Sequence, residues 1–161
     1  MDYSVLILTI GIPGCGKTTW VNEYLKKYPN GTYIISTDAI RLELLGNEQC
    51  VDPSQNPMIY EEARKRAKEI IDNRTEIVKK IGTWPVIIID STNVDMEEWF
   101  AYKQLGSSLM LAKVFDVEPQ EALKRMENRE RKVPLEILEW KWKKLQDNKN
   151  AIPKFFNSEI C

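Results

Sequence analysis

The stretch Gly11 to Thr19, Gly-Ile-Pro-Gly-Cys-Gly-Lys-Thr-Thr, constrains this chain more than any other. It follows an apolar, β-branched run, Val5-Leu6-Ile7-Leu8-Thr9-Ile10, and leads into a helical pattern with Trp20, Val21, Tyr24, Leu25 and Tyr28 at turn spacing. Strand, glycine-rich loop, then helix is the order that lets the pattern G-x-x-x-x-G-K-[ST] act as a phosphate cradle. Gly11, Gly14 and Gly16 let successive backbone N–H groups turn toward one concavity, and the helix adds the partial positive charge of its N-terminus. Gly14, Cys15, Gly16, Lys17, Thr18 and Thr19 are therefore the expected nucleotide-binding residues, with Cys15 chosen for its small side chain. Lys17 is expected at the β- and γ-phosphates as a point charge, and the Thr18 hydroxyl in a Mg²⁺ shell completed mostly by water and phosphate.

A chain of 161 residues has room for one core, so residues 1–161 are expected to form a single domain. With a net charge of −1 and interspersed charges, any nucleic-acid partner would have to be held by a local cluster. Histidine is absent, which excludes histidine bases, histidine metal ligands and Ser-His-Asp triads and leaves acid–base work to carboxylates. Cys15, Cys50 and Cys161 form no C-x-x-C, which fits a reducing, cytoplasmic setting. The first apolar run is about six residues, against about 20 for a membrane span, so no membrane association is expected.

Further along, Tyr33-Ile34-Ile35-Ser36 reads as a second strand, and Thr37 or Asp38 as the cap of a helix reaching Leu45. The polar, proline-punctuated segment Gly46 to Pro57 is the longest expected loop, of a length that is often functional. A long helix is expected from Pro57 to Ile81, its apolar stripe interrupted by Arg74. Pro85 to Asp90 reads as a central strand, Leu109 to Val117 as a fourth, Pro119 as the start of a helix to about Arg129, and Pro134 as the start of a last amphipathic helix. Alternating strands and helices imply an α/β fold: three layers, a short central parallel sheet of about four strands, and helices on both faces. With the glycine-rich loop this is a P-loop NTPase or kinase fold. Ligands in such sheets bind outside the carboxyl ends of the strands. Gly11, Asp38, Asp90 and Arg129 should therefore open onto one crevice.

Asp38 and Arg41 share a helical face at the end of the second strand. A carboxylate there could orient an attacking hydroxyl and accept its proton, with Arg41 binding an anionic group of the acceptor; a plain N-cap with an i,i+3 pair is the structural alternative. Asp90 ends an apolar strand and could hold Mg²⁺, pair with Arg41, or simply build a turn with Ser91 and Asn93. Arg125 and Arg129 fall at i,i+4, followed by Arg131 and Lys132, and could stabilise transferring phosphate from a lid over about residues 125–134; an ordinary charged helix is the alternative.

These segments, in order, resemble the kinase domain of phage-type polynucleotide 5′-kinases: Gly11 to Trp20, Ser36-Thr37-Asp38-Ala39-Ile40-Arg41, Ile88-Ile89-Asp90-Ser91-Thr92-Asn93, Val114-Phe115-Asp116, and Arg125 to Pro134. The resemblance covers essentially the whole chain. It implies a small helical lid, ATP and Mg²⁺ as cofactors, and a 5′-hydroxyl DNA or RNA end as acceptor. It also implies Asp38 as general base, Arg41 on the neighbouring nucleotide phosphate and Arg129 on the ATP phosphates; with Lys17 of the phosphate loop these are the expected catalytic residues, and Arg125, by its spacing, is expected with Arg129 at the nucleotide. Thr18 and Asp90 would be the metal-side residues, although in some relatives the acid stands one position later, where this chain has Ser91. The D-x-D phosphatase motif of two-domain relatives is missing, so 3′-phosphatase activity is not expected. A small-molecule kinase and a nucleotide-switch ATPase are the rival readings.

Overall fold

Every residue of β1 (Val5–Ile10) is buried, because the strand lies at the centre of its sheet with covering layers on both faces. It pairs in parallel with β3 (Val86–Asp90) on one side and β4 (Leu109–Val114) on the other. β2 (Thr32–Ser36) extends the sheet beyond β3, and β5 (Ser158–Glu159) beyond β4, giving the order β2-β3-β1-β4-β5. A computed structural model describes residues 3–49, 52–129 and 133–161; Cys50, Arg131 and Lys132 lie outside the described residues.

The period-2 alternation of the strands divides the core. Leu6, Leu8, Ile10, Ile87 and Ile89 face a cluster completed by Ile59, Ala63, Ala67 and Ile71 of α3 (Asn56–Asp72) and Trp99 and Tyr102 of α5 (Met96–Lys103). Val5, Ile7 and Ile88 face the opposite side, against Val21, Trp20 and Tyr24 of α1 (Lys17–Lys27). A third cluster, Ile12, Cys15, Ala122, Met126 and Leu138, lies under the glycine-rich loop and joins it to α6 (Pro119–Arg125) and α7 (Leu135–Asn148).

Several boundaries differ from the sequence expectation. There are five strands rather than about four: β5 is only two exposed residues, too short to carry a periodic signal, and is held by backbone bonds from Asn157 to Met110 and from Ile160 to Ala112. The helix expected from Pro57 to Ile81 breaks at Asn73 into α3 and α4 (Arg74–Ile81). Asn73 turns its N–H to both Glu69 and Ile70, and the Arg74 guanidinium takes the Ile71 carbonyl at 2.8 Å, so the arginine on the stripe closes a helix end. The N-cap of α2 (Thr37–Leu45) is Ser36, whose hydroxyl accepts from Ala39 N at 3.2 Å; Thr37 and Asp38 are left for the crevice. β4 stops at Val114 rather than Val117, and α6 stops at Arg125 rather than about Arg129. Arg125 and Arg129 consequently share no helical face. Of the lid expected over about 125–134, residues 126–128 are turn, 130–132 lie outside the described residues, and 133–134 lead into α7. Phe156 and the last short helix, α8 (Ile152–Phe155), are core elements, with the Phe155 and Phe156 rings edge-on to Trp99.

Candidate active site

Between β1 and α1 the chain reverses through Gly14 at φ 82° and Gly16 at φ 100°. A Cβ on Gly14 would lie 2.8 Å from the Ala122 carbonyl oxygen, so α6 packs directly on this loop. Gly16 caps α1 without any side-chain bond, and the first turn of α1 holds no acid. The N–H groups there are thereby kept for an anion. Lys17 is buried, with its ammonium donating to the carbonyls of Gly11 at 2.9 Å and Ile12 at 2.8 Å and lying 3.4 Å from Cys15 Sγ.

The loop after β3 is tied to β1. Thr9 Oγ1 donates to the Ile89 and Ser91 carbonyls at 3.1 and 3.0 Å, Asn93 Nδ2 to the Thr9 carbonyl at 2.8 Å, and Gly11 N to the Thr92 carbonyl at 2.9 Å. Asn93 sits at φ 47°, a conformation asparagine tolerates better than most residues. Ser91 and Asn93 therefore do build the turn, while Asp90 leaves it: its Oδ2 accepts from Thr18 Oγ1 at 3.2 Å. Burial pushes the Asp90 carboxyl above the ordinary aspartate value; Lys17 and the Thr18 hydroxyl pull it back, and the charge of Asp38 adds to the rise. Asp90 is not paired with Arg41. Its oxygens beside the Thr18 hydroxyl suit Mg²⁺, which takes hard oxygen donors and typically only one or two carboxylates, with water and phosphate filling the shell.

Arg41 is buried and reaches three acceptors: Asp38 Oδ1 at 3.0 Å, the Glu48 carbonyl at 3.2 Å and Asn56 Oδ1 at 3.2 Å. Asp38 is 47% exposed in its side chain, so the pair presents a fixed guanidinium beneath an accessible carboxylate. Thr37 Oγ1 donates to Ser91 Oγ at 2.9 Å, joining the start of α2 to the β3 loop.

One cavity of about 490 Å³ gathers these groups; Lys17, Thr18, Asp38, Arg41, Asp90 and Arg129 all line it. Arg125 and Cys15 do not. Arg125 donates to the Cys15 carbonyl at 3.1 Å and pairs with Glu121, bracing the loop from outside. Asn56, Tyr60, Ile137, Trp140 and Lys141 also line it; the sequence singles out none of them as a site residue and leaves Trp140 open between core, assembly surface and acceptor platform. The polar 46–57 loop was the available signal for Asn56. The exposed Trp140 gave only an odd apolar position on an amphipathic helix. Among the described residues no cluster of three or more acidic or cysteine side chains forms an all-protein metal cage, and no helix is long and apolar enough to cross a membrane.

A parallel sheet with a glycine-rich loop at the end of its central strand, a buried lysine, and a Thr–Asp contact beside it together define the P-loop kinase fold. The family model described as an AAA domain matches residues 6–149, and the chain belongs to that family. Among solved structures it is similar to a chain of the Pnkp1/Rnl/Hen1 RNA repair complex, with a TM-score of 0.70 and 20% identity over 92% of this chain and 46% of that one. It therefore spans less than half of that chain's length. A gluconokinase from Sinorhizobium meliloti 1021 matches at a TM-score of 0.57 and 14% identity, covering 94% of this chain and 79% of that one. A deoxyadenosine kinase from M. mycoides matches at a TM-score of 0.51 and 16% identity, covering 97% and 90%.

Proposed function

We propose that the chain is an ATP-dependent polynucleotide 5′-hydroxyl kinase of the phage-type family, moving the γ-phosphate of ATP to a DNA or RNA end. The observation that carries this reading is the pairing of Asp38 and Arg41 in the same cavity that Lys17, Thr18 and Asp90 line. A nucleotide switch needs no acceptor-side carboxylate.

In this reading the Gly14–Thr19 backbone and Lys17 hold the triphosphate. Thr18 and Asp90 would hold Mg²⁺, which would supply positive charge against the charge developing on the triphosphate during transfer. Asp38 orients the 5′-hydroxyl and takes its proton as the oxygen attacks phosphorus; the bond to the bridging oxygen breaks and ADP leaves. Arg41 holds the phosphate next to the accepting nucleotide, which its fork suits better than a lysine would. Arg129 lines the same cavity and stabilises the transferring phosphoryl group, as a lid arginine does. Arg125 supports the loop through the Cys15 carbonyl and stands 3.8 Å from the Cβ position of Gly16, beside the nucleotide site.

The test incubates the protein with γ-labelled ATP and a panel of 5′-hydroxyl oligonucleotides, nucleosides and sugar acids. Label on oligonucleotide 5′ ends is expected. The net charge of −1 favours a small acceptor instead, and labelling confined to a small molecule overturns the polynucleotide assignment.

A further inference from the structure

We infer that Trp140 is the stacking platform for the terminal nucleobase of the acceptor strand, and so a specificity-determining residue; the inference rests on the polynucleotide reading above. Trp140 is 58% exposed on α7, and Ile137, three residues before it on the same face, is 43% exposed. Both line the cavity that holds Asp38 and Arg41. An indole this exposed loses contact with water at little conformational cost when a flat partner covers it, and every base offers a π-face.

The ring is held in place beforehand. The Lys144 ammonium lies 4.4 Å from its centroid and is itself fixed 2.7 Å from Asp95 Oδ1, while Asn148 Nδ2 donates to the Val94 carbonyl at 2.8 Å. These bonds lay α7 along the loop that follows β3. In the order β2-β3-β1-β4-β5, β3 lies between the phosphate-loop strand and the strand that leads to Asp38. α7 is anchored on both sides of β1, through Lys144 and Asn148 at the loop after β3 and through Gln146, which donates to Asp116 Oδ1 after β4 at 2.7 Å, and Trp140 shares its cavity with Asp38 and Arg41. The cavity's charge agrees with an anionic guest there: Lys17, Arg41, Arg129 and Lys141 against Asp38 and Asp90. A base on the indole, its phosphate on Arg41 and its 5′-hydroxyl at Asp38 fill the wall with one nucleotide.

The experiment compares wild type, Trp140→Leu and Trp140→Phe on 5′-hydroxyl oligonucleotides whose first residue is intact, abasic or 2-aminopurine. Loss of one stacked base predicts a Michaelis constant for the intact oligonucleotide about 5- to 150-fold higher in Trp140→Leu. Trp140→Phe should recover most of that loss, and the constant for ATP should not move. The abasic end should bind wild type and Trp140→Leu alike, and 2-aminopurine fluorescence should be quenched on binding wild type but not Trp140→Leu. If wild type labels oligonucleotides yet Trp140→Leu leaves the acceptor constant and the quenching unchanged, the platform is wrong while the proposed function stands. If no oligonucleotide is labelled by wild type, both fall together.

Discussion

The Thr18 hydroxyl donates to Asp90 Oδ2 at 3.2 Å, joining the first turn of α1 to the end of β3. The contact ties Asp90 to the helix that follows the glycine-rich loop and leaves Arg41 to Asp38.

Asp90 should trade stability for chemistry. Burial raises its folded carboxyl above the ordinary value, so its contribution to stability is greatest below that value and is lost as pH rises through the folded pKa. Asp90→Asn keeps an acceptor for Thr18 and removes the buried charge. Without Mg²⁺ its Tm is expected above that of wild type at neutral pH, with the advantage vanishing in acid. Mg²⁺-dependent transfer should fall in the same variant. Thermal melts across pH check the first half, and a neutral-pH Tm below wild type would rule the argument out.

Asp38→Asn should separate binding from transfer. The amide still bonds Arg41 but accepts no proton, so transfer is expected to drop about 10²- to 10⁴-fold while ATP affinity stays. Arg41→Lys should act differently: one ammonium cannot span Asp38, the Glu48 carbonyl and Asn56 together. Its signature is a raised acceptor Michaelis constant together with faster proteolysis in the 46–56 region. Retained transfer in Asp38→Asn reduces Asp38 to a partner for Arg41.

Much of this site was legible because the residues that make it are punctuation as well as chemistry. Gly11 to Thr19 announces its own turn, and Asp90 and Asp38 stand at or just past strand ends that hydrophobic period locates, whereas Arg129 lies beyond a helix whose end the sequence places four residues too late. What was not legible depends on contacts across the chain. The sequence treats Asp90 and Arg41 as possible partners; only the bonds from Thr9 and Asn93 to the β3 loop aim Asp90 at Thr18 instead. The break at Asn73 falls where Arg74 interrupts the apolar stripe, a signal masked because the helical spacing resumes in step at Ile77 and Ile81. Trp140 stays open in the sequence between core, assembly surface and acceptor platform, because its exposure and its contact with Lys144, itself held by Asp95, depend on residues brought together by the fold.

Two glycines at similar φ should respond differently to alanine. Gly14 at φ 82° would place a Cβ 2.8 Å from the Ala122 carbonyl and 3.1 Å from Met126 Cγ, so α6 must move off the loop. Gly46 at φ 76° would place one in open space. Gly46→Ala is expected to cost about 1 kcal/mol, the left-handed conformation alone. Gly14→Ala should cost about 2–4 kcal/mol, with overpacking added to the backbone strain, and should weaken ATP binding. Equal costs by urea denaturation would mean that α6 does not press on the loop.

The Arg64–Glu98 pair bridges α3 and α5 behind the cavity, with Arg64 Nη1 at 3.0 and 2.9 Å from the two carboxylate oxygens. Burial raises the Glu98 carboxyl above its ordinary value, and Arg64 opposes the rise. Arg64→Met leaves that carboxylate without its counter-charge. The expected loss is about 2 kcal/mol, below the 3–5 of fully buried pairs, because the side chains remain 26% and 20% exposed. Since the unpaired Glu98 must rise further, the loss should shrink as pH falls through its folded value and the carboxyl protonates. Arg64→Met/Glu98→Met should regain most of the stability at neutral pH, because replacing both partners with apolar groups removes the unpaired charge. Urea midpoints of wild type, both single variants and the double variant decide it: a double variant no more stable than Arg64→Met would show that the loss came from packing of the arginine stem, not from the stranded carboxylate.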